Sequence, residues 1–202
     1  LINLFYVGYF FGIGFFLTGT HWISNSLRFD QTFKNLIPLT IVILPLLLGL
    51  FYGLGSLICG KYLKLDFKSI LLFCATISAV DYIRAKILTG FPWNLWAYSW
   101  SWFIESIQIL NPLGLFAFNL LAITLFCLPT IFFIKKSKDK NILLILFSVM
   151  FFGNYLYGNY TLNKNKIESK KYINEKKFVY VKIVSPNFEL KYNLSEKETN
   201  ER

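Results

Sequence analysis

Long apolar runs alternate with short polar turns along this chain until about residue 160, where the alternation stops. Five runs are long enough to cross a bilayer, for which about 20 apolar residues suffice. They are Leu1–Leu27, Asn35–Gly60, Ser69–Leu88, a run within Ser106–Ile134 that starts after Pro112, and Asn141–Tyr160. Pro38 falls in the first turn of the second run, where its missing N–H costs nothing, and Pro45 predicts a kink further in. Gly8 and Gly12 are spaced GxxxG, as are Gly49 and Gly53, a spacing that lets helices approach closely. The pattern predicts an all-α polytopic membrane bundle of about five transmembrane helices over residues 1–160.

Beyond the fifth run the character changes. Thr161–Lys177 is rich in Asn and Lys and reads as a linker, 161–177. Phe178–Val184 has the β-branched and aromatic content of a strand, ended by Ser185-Pro186-Asn187. A single strand needs partners, so residues 178–202 are expected to open a further, truncated extramembrane domain. The charged stretch Ser195–Arg202 would begin a helix.

Composition sharpens this picture. Of the residues, 55% are hydrophobic and only 16% charged, against about 25% charged in soluble domains. The formal net charge of +10 is no nucleic-acid signature, because the basic residues sit between apolar runs and not along one face. Cys59, Cys74 and Cys127 fall in or beside apolar runs without metal-ligand spacing, so they read as small packing residues, with neither a metal site nor a disulfide framework. His21 is the chain's one histidine and lacks a partner for a metal. No cofactor is expected.

Orientation follows from the lysines. Lys61, Lys64 and Lys68 occupy the second turn and Lys135, Lys136, Lys138 and Lys140 the fourth, against Arg28 and Lys34 in the first. The positive-inside rule puts the lysine turns and Leu1 in the cytoplasm and the C-terminal tail outside. The tail is itself basic, which opposes this count; long exported domains escape the rule.

The third run carries the candidate chemistry. Asp81, Arg84 and Lys86 lie in its last two turns, and the i, i+3 spacing lets Asp81 and Arg84 pair. Ionisable groups in a membrane segment are costly, so they face a cavity or snorkel to the interface. Immediately afterwards Thr89-Gly90-Phe91-Pro92-Trp93 breaks the helix and opens an aromatic stretch with Trp93, Trp96, Trp100 and Trp102. Such a stretch is expected to run along the membrane surface, either as a simple anchor or as a lipid-contacting loop.

Three stretches resemble the apolipoprotein N-acyltransferases, bacterial inner-membrane enzymes. Gly12-Ile13-Gly14-Phe15-Phe16-Leu17-Thr18-Gly19-Thr20-His21-Trp22-Ile23 is similar to the family's GFGxFLxGxxWV segment. Asp81-Tyr82-Ile83-Arg84, then Leu88 to Trp93 and Ala97-Tyr98-Ser99, resembles its ExxR…TGFPW…GYS segment. Val184–Tyr192 loosely resembles the opening of its catalytic domain. The chain departs in having Asp81 for the usual Glu, Ala97 for Gly before Tyr98, and Ser185-Pro186-Asn187-Phe188-Glu189 where a QGNIPQ-like turn is usual.

The resemblance implies transfer of an acyl chain from a phospholipid donor to the N-terminal amine of a diacylglyceryl apolipoprotein acceptor. It implies a Glu–Lys–Cys triad in a nitrilase-like α/β domain on the periplasmic side of the inner membrane, with the tail 178–202 as its truncated start. The catalytic residues would then lie outside this chain, which alone would be inactive. Its part would be lipid access, with Arg84, Phe91, Pro92, Trp93 and Tyr98 binding substrate and Arg84 meeting a phosphate. The other class open to the sequence is a small transporter or structural membrane subunit, since Gly- and Pro-interrupted helices and a charge pair suit either.

Overall fold

The computed structural model describes residues 2–28, 31–64, 66–87, 92–175 and 180–183. The described residues are almost wholly helical and contain no strand. Four long helices carry the bundle: α1 (Ile2–Thr20), α2 (Ile37–Gly60), α3 (Phe67–Lys86) and, after the short α4 (Ile104–Ile107), α5 (Leu110–Leu113) and α6 (Leu115–Phe126), the 38-residue α7 (Ser137–Asn174). Short 3₁₀ segments extend α1 over His21–Arg28, precede α2 over Gln31–Leu36, and follow α6 over Leu128–Phe133.

Four helical stretches are long and apolar enough to cross a membrane: Ile2–Arg28, Thr32–Gly60, Leu115–Phe133 and Ser137–Asn174. The expected third span, Ser69–Leu88, corresponds to α3, which forms as a 20-residue helix but falls short in apolarity because Lys68, Asp81, Arg84 and Lys86 lie within it.

Glycine decides how α1 meets α2. Gly8, Gly12, Phe16 and Thr20 are the buried residues of α1, one face at four-residue spacing. A Cβ built on Gly12 would sit 3.0 Å from the Gly49 Cα, so the two backbones touch where side chains would hold them apart. Pro45 is buried inside α2, which continues through it as one helix. The core beyond this seam joins Phe16 of α1, Tyr52 of α2, Cys74 and Ile77 of α3, Ile123 of α6, and Leu143 and Phe147 of α7.

Each later helix has a local cause. Asp66 caps α3, its carboxylate accepting from the Ser69 N–H at 2.9 Å. Gly114 stands at φ 77°, ψ 170°, a conformation that strongly favours glycine, and there the chain turns from α5 into α6.

Two expectations reach the described residues only in part. The stretch Thr161–Lys177, expected as a linker, is helical as far as Asn174, α7 running on through it. No Gly or Pro interrupts it, the Thr161 hydroxyl donates back to the Tyr157 carbonyl at 2.9 Å, and Lys164 and Glu168 stand at the i, i+4 spacing that supports an exposed helix. At 1.5 Å per residue α7 is about 57 Å long, well beyond a hydrocarbon core of about 30 Å. Of the expected strand only 180–183 are described, and these are irregular. The rest of Phe178–Val184, the Ser185-Pro186-Asn187 turn, Ser195–Arg202 and Leu1 lie outside the described residues.

Candidate functional site

The last turns of α3 end in a buried charge pair, not a snorkelling one. Asp81 and Arg84 are 0% and 1% exposed, and the Arg84 Nη2 donates to Asp81 Oδ1 at 3.1 Å. A charge pair taken out of water needs further hydrogen bonds to offset desolvation. For Asp81 they come from two other helices. Asn119 of α6 donates to Asp81 Oδ2 at 2.9 Å, and the Tyr52 hydroxyl of α2 donates to Oδ1 at 3.3 Å. The guanidinium also lies 5.0 Å from the ring centre of Phe16 on α1, a cation–π contact.

The network reaches the loop that follows α3. Arg84 Nη1 donates to the Trp93 carbonyl at 2.9 Å. The Trp96 indole N–H donates to the Tyr52 hydroxyl at 2.8 Å, and the Ala97 N–H to the Asn119 side-chain oxygen at 3.1 Å. The loop therefore hangs from the same residues that neutralise the pair. Asn94 adds a tie to α1. It takes the left-handed φ of 56°, which Asn tolerates better than most residues, and its amide donates to the Phe15 carbonyl at 3.1 Å. A Cβ on Gly19 would run into that amide, so glycine admits the loop.

The aromatic stretch packs in part into the bundle. Leu95 and Ala97 are buried, and Trp96 stacks on Phe15 with ring centres 4.6 Å apart. Trp93, Tyr98 and Trp102 remain exposed. Trp93 stacks on Trp22 at 5.0 Å, and the Tyr98 hydroxyl donates to the Pro92 carbonyl at 3.0 Å. Burial raises the Tyr98 pKa, countered in part by Arg84, so the hydroxyl stays protonated and free to donate.

Of the expected substrate-binding residues, Pro92, Trp93 and Tyr98 come together at one end of the bundle. Phe91 lies outside the described residues. Arg84 is drawn inside: its guanidinium is buried and donates to Asp81 and to the Trp93 carbonyl. Sequence reading passed over Tyr52, Asn94, Trp96 and Asn119. Asn119 had a signal, being the one polar amide in an otherwise apolar span, and an intramembrane polar residue is a site candidate by default. Among the described residues no cluster of three or more metal-ligating side chains forms.

A cavity of about 510 Å³ adjoins the network. Tyr52 and Trp96 form part of its wall, with Phe11, Ile77, Ile123 and Phe126 supplying apolar surface. The volume falls within the range of small-molecule pockets, about 300–1,000 Å³.

The architecture is a helical bundle with four stretches long and apolar enough to cross a membrane, in which the loop after α3 is fastened to a buried ion pair. The profile of the apolipoprotein N-acyltransferase N-terminal domain matches residues 2–128, and the chain belongs to that family. It is 30% identical over 190 residues to the apolipoprotein N-acyltransferase of Allorhizobium ampelinum, an alignment covering 94% of this chain and 34% of that protein. It is 31% identical over 160 residues to the enzyme of the same name from Rhizobium etli, covering 78% and 29%. The chain therefore spans about a third of the length of these relatives. No solved structure matches it.

Proposed function

We propose that these 202 residues form the membrane portion of an apolipoprotein N-acyltransferase, which moves an acyl chain from a phospholipid to the N-terminal amine of a diacylglyceryl-cysteine lipoprotein. The observation that carries this is the fastening of the Pro92–Tyr98 loop to Asp81–Arg84, in a chain whose relatives bear that enzyme's name. In this reading α3 is a fifth span, its charges satisfied internally. The lysine turns face the cytoplasm, and the Trp93 loop faces the opposite leaflet of the bacterial inner membrane. The contacts agree in register: Leu4, at the start of α1, lies against Gly60 at the end of α2, while Trp22, after α1, meets Trp93, after α3.

Pro92, Trp93 and Tyr98, with Phe91, line the path by which lipid reaches the reaction. Arg84 is a positioning residue that sets the loop's height through the Trp93 carbonyl. The reaction itself belongs to a nitrilase-like domain. There a thiolate attacks the phospholipid ester and expels the lysophospholipid, and the acceptor amine then attacks the thioester, releasing the thiol. Cys59, Cys74 and Cys127 all lie in the helical bundle, so these 202 residues supply no exported thiol.

In a complete enzyme, Trp93→Ala should slow N-acylation several-fold at unchanged protein level, measured with a fluorescent phospholipid donor and a lipopeptide acceptor. Loss of protein instead would mark Trp93 as an anchor only. N-acylation by the isolated 202-residue chain would overturn the division of labour.

A further inference from the structure

The opposite end of α3 holds a second arrangement that the acyl-transfer reading does not use. At this end Lys64 and Lys136 both lie near enough to the Asp66 carboxylate to favour its ionised form; the larger influence is its hydrogen bond from Ser69. Lys61, Lys64, Lys68, Lys135, Lys136 and Lys138 are exposed. Among the described residues the ion pairs are Arg84–Asp81 and Lys164–Glu168, so no lysine of this end is bound in one. Asp66 and Asp139 are the acids present in these turns, and Asp66 is committed to capping α3.

Beneath the lysines the bundle is open. A cavity of about 330 Å³ is lined by Lys64 and Leu63 at its mouth, by Ser69, Ile70 and Phe73 along α3, and by Thr130 on the far wall. Its wall is overwhelmingly apolar. It meets the larger cavity at Phe73 and Cys127, which line both. An apolar slot with an excess of cations over acids at its rim fits an amphiphile with an anionic head. A free phosphate leaves the slot empty, and a neutral lipid leaves the excess positive charge unbalanced. Basic pockets between transmembrane helices are a recurrent seat for anionic headgroups.

We propose that the lysine end of the bundle binds an anionic phospholipid, its phosphate beside Lys64 at the rim of the cavity, within the field of Lys136, and one acyl chain in the cavity along α3. This is a different lipid site from the Trp93 loop. α3 separates the two by 20 residues, about 30 Å at 1.5 Å per residue, so the sites belong to opposite leaflets. The bound lipid would brace α3 against the segment after α6, since Ile70 and Phe73 line the cavity together with Cys127 and Thr130.

The test is photolabelling of the chain in phosphatidylcholine nanodiscs by a tail-diazirine phosphatidylglycerol, read by peptide mass spectrometry. Labelling should concentrate on residues 63–73 and 127–130, and excess phosphatidylglycerol should compete while excess phosphatidylcholine or inorganic phosphate does not. The double variant Lys64→Gln, Lys136→Gln should reduce that labelling about tenfold, given the attraction each lysine exerts on an anionic surface. Both side chains are exposed, so folding should be unaffected; Lys164→Gln, on the distant end of α7, serves as the control. Thr130→Trp, which fills the slot, should abolish the tail labelling while the lysines remain. Equal labelling by a phosphatidylcholine probe, or competition by inorganic phosphate alone, would overturn the site. Because the readout is labelling and not acyl transfer, the outcome is separate from that of the enzymatic reading.

Discussion

Two seams hold this bundle, and they are built on opposite principles. The α1–α2 seam is a contact of shape: Gly8 and Gly12 on one helix and Gly49 and Gly53 on the other remove side chains until the backbones meet. The α3–α6 seam is a contact of direction. Asp81, Arg84 and Asn119 are buried polar groups whose hydrogen bonds work in one arrangement, and Tyr52 and Trp96 extend them to α2 and the loop. In hydrocarbon apolar packing alone specifies little, because lipid tails are as apolar as Leu. The shape seam therefore sets how near two helices come. The polar seam sets which residue faces which, and it lies where the loop must be held at a fixed height.

The largest expected effect comes from breaking the polar seam on one side. Asp81→Leu leaves the Arg84 guanidinium buried without its counter-charge, and the cost should be about 3–5 kcal/mol. Thermal unfolding in detergent measures it. The double variant Asp81→Leu, Arg84→Met should recover much of the loss while the Trp93 loop, deprived of its bond from Arg84, keeps its ties through Asn94, Trp96 and Ala97. If the double variant is as unstable as the single one, the pair is not the unit of stability argued here.

The shape seam should yield to a change that adds no polarity. Gly12→Leu forces α1 away from Gly49, and overpacking of this kind costs about 1–3 kcal/mol. Intramolecular cross-linking of cysteines introduced at the facing ends, Leu4→Cys with Gly60→Cys, should fall in that background. Cys74 and Cys127, whose sulfurs lie 3.5 Å apart in the other seam, should still be bridged by a short bifunctional thiol-reactive reagent such as a bis-methanethiosulfonate, each thiol displacing one sulfinate. Loss of both cross-links together would mean that the seams are not independent.

The smallest effect sharpens the contrast between buried and exposed charge. Asp66 caps the same helix in contact with water, and its pKa is lowered by the Ser69 hydrogen bonds first and by Lys136 and Lys64 after them. A depressed carboxylate contributes stability above its unfolded pKa of about 3.9, and that contribution is lost as pH falls through the lower folded value. Asp66→Asn keeps a capping oxygen without the titration. The stability gap between wild type and this variant should therefore shrink as pH drops from about 5 to about 3. A constant gap would show that the charge at Asp66 contributes nothing.

Much of this molecule was legible in the chain. Uncharged runs, lysine turns and paired glycines specify the helices and their closest contact, because hydropathy and backbone access are local properties that need no partner to be read. The family segment from Asp81 to Ser99 was legible for the same reason, and so was the pairing of Asp81 with Arg84, which lie one helical turn apart. The continuation of α7 to Asn174 was not: a polar, exposed helix has no hydrophobic period, so it resembles a linker until its hydrogen bonds are seen. Nor could the chain reveal that Arg84 faces inward, or that Tyr52, Trp96 and Asn119 complete its network. Those residues lie 29, 15 and 38 positions from Asp81, and which distant dipole a buried charge meets depends on how the helices pack. Cys74 and Cys127, 53 residues apart, make the same point. The sequence decided which segments enter the membrane, while the packing of those segments decided which of their few polar atoms find one another, because a hydrogen bond in hydrocarbon is satisfied only by a partner that tertiary structure carries to it.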